Sequence, residues 1–238
     1  MQVIAHRGAS AYAPENTRAA FDLAIEMRAD SIETDVQVTR DGELVLIHDD
    51  LVDRTTNGVG PVADFTMAEL RSLDAGSWFE PRFQEERILT LAEYWATYTP
   101  RIPVCLEIKD PLATEPFLRF LEQQPDLAAV TVTSFSWSAV LRTVGAVDVP
   151  VGFLCKEFND DIIRRCAERG LAQVCPHTGM LTADLVDRAH DAGLVVRAWG
   201  VRERADVDRL FATGADGATS NWPDWITDHP EYERKDAQ

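Results

Sequence analysis

No run among the 238 residues approaches the roughly 20 consecutive apolar positions that a membrane-spanning helix needs. The opening residues, Met-Gln-Val-Ile-Ala-His-Arg-Gly, lack a basic leader, an apolar stretch and a small-residue cleavage site, so no export signal is expected. Cysteine is scarce. Cys105, Cys155, Cys166 and Cys175 form no Cys-x-x-Cys pair, and three of them sit in apolar strand-like runs, where a free thiol behaves as a small hydrophobe. That excludes a thiolate zinc site and fits a reducing cytoplasm. Positive charge is also short, with 23 Lys and Arg against 40 Asp and Glu, a net charge of −17. Such a surface excludes non-specific nucleic-acid binding and stable association with an anionic membrane. It also means that any anionic substrate must find positive charge concentrated locally.

What is present describes an ordinary globular protein: 45% hydrophobic residues with both charge signs interspersed. From about residue 130 the chain repeats one pattern. A short β-rich apolar run precedes a polar helix starter, an amphipathic helix and a glycine. Strands begin near 130, 149, 173 and 194, and the helices between them bury Val140, Leu141 and Val144, then Ile162, Ile163 and Cys166, then Leu185, Val186 and Ala189. Alternating strands and helices imply parallel strands with right-handed crossovers. The first half adds strands near Val3, Ser31 and Val104, and the last lies near Gly217. Eight parallel strands close a (β/α)8 barrel, expected here as a single domain over 1–238. Asp41-Gly42 between two strand-like runs reads as a two-residue hairpin that sets Arg40 opposite Glu43, and therefore Asp35 opposite His48. Residues from about 50 to 102 break the rhythm and read as an insertion with two capping boxes, Thr66 with Glu69 and Thr90 with Glu93. From about Glu231 a polar tail has nothing to bury.

Catalytic groups in such barrels lie at the carboxyl ends of the strands. Here the first strand ends His6-Arg7-Gly8, the second carries Glu33 and Asp35 on one face, the hairpin returns His48, and the next parallel strand ends Glu107-Ile108-Lys109. Three carboxylates form a hard-oxygen set suited to Mg2+ or Ca2+, and they outnumber the two neighbouring cations. Arg7 and Lys109, with the metal, make the cationic patch that a phosphate needs. Two histidines flanking a phosphate can act as general base and general acid. Trp199, at a strand end, is a candidate substrate wall and His177 a candidate pocket residue; Asn16 reads as a helix start, and His190 and His229 as exposed bystanders.

With these residues in place the chain resembles the glycerophosphodiester phosphodiesterases, from His6 to about Trp225. The resemblance is carried by His6-Arg7-Gly8, Pro14-Glu15-Asn16-Thr17, Glu33-Thr34-Asp35-Val36, His48-Asp49, Asp53-Arg54-Thr55-Thr56, Leu73-Asp74-Ala75-Gly76, Leu106-Glu107-Ile108-Lys109 and Gly214-Ala215-Asp216-Gly217. It implies a barrel with an insertion after the second histidine. It also implies hydrolysis of small-molecule glycerophosphodiesters to glycerol 3-phosphate and an alcohol. Glu33, Asp35 and Glu107 would bind a divalent cation, His6 and His48 transfer protons, and Arg7 and Lys109 hold phosphate. Gly200-Val201-Arg202 stands where Thr-Val-Asn is usual, and Ser220-Asn221-Trp222-Pro223 where Thr-Asp-x-Pro is common. Neither change touches the proposed metal or proton-transfer residues, but Arg202 bears on the identity of the alcohol. The competing readings are a lysophospholipase D-like activity, which would want an apolar groove or a basic membrane-facing surface, and a non-catalytic phosphate-binding barrel, which would have lost part of this set.

Overall fold

A computed structural model describes residues 1–233. Eight parallel strands close on themselves: β1 (Gln2–His6), β2 (Ser31–Val38), β4 (Val104–Ile108), β5 (Val130–Ser134), β6 (Val151–Cys155), β7 (Gln173–Pro176), β8 (Val195–Ala198) and β9 (Gly217–Ser220). Each pairs with its successor, and β1 closes the ring against both β2 and β9. The short β3 (Leu44–Leu46) folds back antiparallel on the outer end of β2. Helices α1 (Arg18–Glu26), α3 (Leu91–Tyr98), α4 (Thr114–Glu122), α5 (Trp137–Val144), α6 (Asp160–Glu168), α7 (Ala183–Asp191), α8 (Arg204–Thr213) and α9 (Pro223–Thr227) follow the parallel strands in turn; α2 (Met67–Arg71) lies in the irregular stretch after β3. None of the described helices is long and apolar enough to cross a membrane.

The helix boundaries follow local chemistry. Thr17, Ser136 and Thr182 cap α1, α5 and α7 with their hydroxyls, and Asn159 caps α6 with its amide oxygen. Both expected capping boxes form, at α2 and α3. Gly214 ends α8 in the left-handed conformation. Between barrel and helices, one apolar cluster joins Phe21, Tyr94, Tyr98, Leu106 and Phe117, with Phe21 edge-on to both tyrosines at 4.8 and 5.2 Å. Tyr94 and Tyr98 belong to α3, so α3 covers the sheet between β2 and β4 as a barrel helix does. A second cluster fills the β6–β9 side, and a smaller one around Val52, Val62 and Leu70 supports the stretch after β3.

All four cysteines are buried and free. Two expectations change. His229 is not exposed: it stacks on Phe211 with ring centroids 4.0 Å apart. Tyr232, within the expected polar tail, packs against the second cluster, and residues 234–238 of that tail lie outside the described residues.

Candidate active site

The first strand ends in a turn that only this sequence makes easily. Arg7 adopts φ 56° and Gly8 φ 82°. A Cβ on Gly8 would come within 2.5 Å of the Ala20 backbone, so glycine alone lets the turn sit against α1. The turn aims the Arg7 amide at Glu33 Oε2, 3.1 Å away. Barrel register then stacks the charged groups, with His6 beside Glu33 on β2 and Asp35 beside Glu107 on β4. One oxygen from each of Glu33, Asp35 and Glu107 lies within 4.8 Å of the others, and all three residues are buried.

His48 reaches this cluster, but not by the expected register. Thr39 N donates to Glu43 O, making a three-residue loop closed by Gly42 at φ 87°, and Val36 pairs with Leu46. Ile47, not His48, therefore stands across from Asp35, and Ile47 N donates to Asp35 O. A strand shifted by one residue turns its side chains to the opposite face. His48 recovers the site because the chain leaves the sheet after Leu46. Buried Gln37 donates to the carbonyls of Ile47, His48 and Asp49 at 3.1, 3.0 and 2.8 Å and so fixes this departure.

Each histidine is oriented through Nδ1. His6 Nδ1 meets Asn221 Oδ1 at 2.5 Å, leaving Nε2 4.0 Å from Glu33. His48 Nδ1 meets Asp49 Oδ1 at 2.5 Å, and Arg54 clamps that carboxylate and Glu15. Asp35 is held by Asn16, which sits at φ 57° and accepts from Thr34 at 2.7 Å. Arg7 Nε lies 3.1 Å from Asp35, close enough for an ion pair but out of line for a hydrogen bond. Lys109 Nζ donates to Glu107 at 2.9 Å and lies 3.9 Å from Asp35. Strained backbone at Arg7 and Asn16 thus coincides with the charged cluster.

Burial, reinforced by Arg7, lowers the His6 imidazole to about 3. Burial also lowers His48, although Asp35 opposes it. Burial pushes Glu33 well up, helped by Asp35 and Glu107, and pushes Glu107 up to about 7. Burial works against the Asp35 carboxylate, yet Arg7, His48 and Lys109 bring it below its ordinary value. Asp35 is thus the anion around which the site is arranged.

The expected count, three carboxylates against two cations, leaves out charged groups that the fold brings in. Arg197 of β8 is buried inside the barrel, donates to Cys105 Sγ at 2.8 Å and acts on Glu33 as a third cation. Glu15, 2.9 Å from Arg7, is a further carboxylate shared with Arg54, so a tally of charges cannot argue for a metal. Unsatisfied oxygens can: Glu33 Oε1 and Asp35 Oδ1 are buried without a hydrogen-bond partner.

His6, Arg7, Glu33, His48, Glu107 and Lys109 open into one cavity of about 580 Å³. Its other side is formed by Phe135, Leu154, Trp199, Val201, Arg202 and Trp222. Trp199 lines it as expected. His177 does not; it packs edge-on behind Trp199, centroids 4.8 Å apart. His190 is exposed and bound to Asp216. Sequence reasoning passed over Asn16 as a helix start, and gave no role to Gln37, Asp49 or Arg197. For Asp49 a signal existed, its place beside His48; for Arg197 the signal was a charge in the middle of an apolar strand.

Residues 6–225 match the model of the glycerophosphoryl diester phosphodiesterase family. The chain belongs to this family. It is 38% identical to YhdW of Bacillus subtilis, with 98% of this chain and 99% of that one covered. It is 37% identical to the glycerophosphodiester phosphodiesterase of Caldanaerobacter subterraneus, covering 96% of this chain and 94% of the other. A phosphodiesterase from Oleispira antarctica, solved with its product sn-glycerol-3-phosphate, superimposes with a TM-score of 0.89 at 30% identity, 96% of each chain being covered. Two departures from the glycerophosphodiester phosphodiesterase pattern, Arg202 and Asn221, fall on this cavity, and Asn221 binds a candidate catalytic histidine directly.

Proposed function

We propose that this chain hydrolyses glycerophosphodiesters to glycerol 3-phosphate and an alcohol, using a divalent cation and two proton-transferring histidines. One observation carries the reading: His6, His48, Glu33 and Glu107 line a single cavity, and Asp35 lies with both glutamates within 4.8 Å, oxygen to oxygen. Similarity to the product-bound Oleispira enzyme supports the substrate class. Buried carboxylate oxygens without partners suit Mg2+ or Ca2+ better than zinc. Bound there, the cation would neutralise phosphate charge and polarise the phosphorus centre.

The chain's own residues do the rest. Arg7 and Lys109, already anchored on carboxylates, hold the phosphate oxygens in place. Asn221 presents an amide oxygen to His6 Nδ1, so the Nδ1–H tautomer leaves Nε2 with a lone pair and His6 serves as base. Asp49 presents a carboxylate to His48, which stabilises its imidazolium and suits it as the acid. Neither histidine is bonded to a Ser, Thr or Cys, so no protein nucleophile is prepared. A substrate hydroxyl next to the phosphate has a large effective-concentration advantage over water. It attacks phosphorus as His6 takes its proton, and the bond to the leaving alcohol breaks as His48 gives one. Water then opens the cyclic glycerol phosphate, with His48 taking a proton and His6 returning one. Trp199 walls the substrate on the opposite side.

The test is release of the leaving alcohol, choline or ethanolamine, from glycerophosphocholine, glycerophosphoethanolamine, a lysophospholipid with the same head group and a choline diester whose glycerol lacks the 2-hydroxyl. The two small diesters should turn over fastest, and the 2-deoxy diester should bind similarly but react orders of magnitude more slowly. A preference for the lysophospholipid would favour a lysophospholipase D-like activity. Equal turnover of the 2-deoxy diester would show direct attack by water, and no release from any diester would overturn the reading.

A further inference from the structure

Beyond the candidate metal and phosphate residues the lining of the cavity changes chemistry, and a leaving alcohol would meet this second part of it. Phe135 stands edge-on to Trp199, centroids 5.2 Å apart at 84°. Two ammonium groups already attend the Phe135 ring: Lys109 Nζ at 5.6 Å and Lys156 Nζ at 5.7 Å from its centroid. An incoming ammonium would meet like charge there rather than an open aromatic face. Trp222 lines the same part and is stacked on Trp225 at 4.4 Å, with the Arg204 guanidinium 5.0 Å over the Trp225 ring. Arg202 completes the lining. Its backbone is fixed, because Arg202 N donates to Asp206 Oδ2 at 2.9 Å, and Asp206 spends its other oxygen on Arg209 and Thr178. The side chains of Arg202 and Lys156 are exposed and form no ion pair among the described residues. Among the described residues, the only carboxylates lining the cavity are the candidate metal ligands Glu33 and Glu107. In a chain of net charge −17, Arg202 on the lining and Lys156 beside the lining residue Phe135 bring two cations without ion-pair partners to this part of the cavity.

We propose that this part of the cavity selects a leaving alcohol that itself carries a negative charge, a second phosphate or a carboxylate, over one that carries a quaternary ammonium. Arg202 and Lys156 are its specificity-determining residues. The inference rests on the phosphodiesterase reading above and adds the chemical class of the alcohol. Charges at a cavity rim act mainly through capture and are screened by salt. The preference therefore belongs in kcat/KM and shrinks as ionic strength rises.

The experiment measures kcat/KM for four glycerol phosphodiesters whose leaving alcohols are choline, 1-propanol, 3-hydroxypropanoate and 2-phosphoethanol. Glycerol 3-phosphate release is followed at low and high salt, for the wild type, Arg202→Lys, and the double variant Arg202→Gln with Lys156→Gln. At low salt the wild type should prefer at least one anionic alcohol over choline by about tenfold, the scale of one to two favourable charge contacts. The larger of the two anionic rates assigns the group as phosphate or carboxylate. High salt and the double variant should each collapse the ratio, and Arg202→Lys should keep most of it. Choline as the preferred alcohol, or a ratio unchanged in the double variant, overturns the proposal while leaving the phosphodiesterase reading intact. No release from any of the four diesters overturns both.

Discussion

β1, β2 and β4 end in buried charge, whereas β5 to β9 and the segments after them offer the cavity Phe, Leu, Val and Trp side chains with Arg197, Arg202 and Asn221 among them. On the first side His6, Glu33, Asp35 and Glu107 stand in register, and each is bound by at least one further polar group. On the second, Phe135, Leu154 and Trp199 face the same space. One barrel thus separates the groups proposed above for the chemistry from those that give the cavity its shape. Arg197 and Asn221 cross the division, the first as a buried countercharge and the second as the partner of His6. Changes on the charged side should act on kcat, and changes on the aromatic side on substrate choice.

The largest effects test that division directly. Glu33→Gln or Glu107→Gln should abolish glycerol 3-phosphate release while circular dichroism shows the fold intact. Trp199→Ala should lower kcat/KM by about tenfold and leave turnover measurable, as expected for a lost aromatic contact. Equal, complete loss in both would erase the distinction between the two sides.

Next come the histidines. His6→Ala and His48→Ala should each cost at least about 10² in kcat, the usual scale for a missing general base or acid. A diester with a phenolate leaving group needs little protonation, so it should rescue His48→Ala far more than His6→Ala. Equal rescue would exchange or dissolve the assigned roles.

Asn221→Asp probes the residue that crosses the division. A carboxylate in place of the amide would stabilise the imidazolium of His6, whose pKa burial holds down at about 3. A base must be unprotonated to act, so the acidic limb of the kcat/KM profile should move to higher pH, on the order of one unit. A limb that stays put would remove Asn221 from the reaction.

The smallest effect lies away from the cavity. Glu93 caps α3 and pairs with Arg71 at 2.7 Å. Burial opposes its ionisation, yet Arg71 and the Thr90 amide lower the carboxyl from the ordinary 4.5 to about 2. A lowered folded value means stability that is present above pH 4.5 and lost as pH falls toward 2. With the side chain about a third exposed, Glu93→Gln should cost only about 0.5–1 kcal/mol at neutral pH, and the difference should vanish near the acid end. Urea melts at both pH values would show it, with activity unchanged.

The barrel was legible because its rule is repetitive: strand, polar starter, amphipathic helix, glycine, four times over after about residue 130. The charged residues were legible because His6-Arg7-Gly8, Glu33-Thr34-Asp35 and Glu107-Ile108-Lys109 fall at strand ends, where side-chain alternation decides which residues share a face. The hairpin register was not. Asp41-Gly42 suits a two-residue turn as well as the three-residue loop that forms, and nothing local distinguishes them. His48 nevertheless opens into the same cavity as His6, since irregular backbone held by Gln37 brings it back. Asn16, Gln37 and Asn221 were illegible in their roles because a side-chain amide serves capping, structure or catalysis alike, and only tertiary contact decides. Arg197 was concealed by its setting among strand residues, where a single charge suggests an exposed face rather than the barrel interior.

The central claim is that the Glu33, Asp35 and Glu107 oxygens hold a cation on which hydrolysis depends. The most direct measurement is glycerol 3-phosphate release after exhaustive chelation, followed by return of Mg2+, Ca2+ or Mn2+ one at a time. Activity should fall to background and be restored by at least one of these cations in the wild type, but by none in Glu33→Gln. Full turnover by the chelated enzyme would contradict the account.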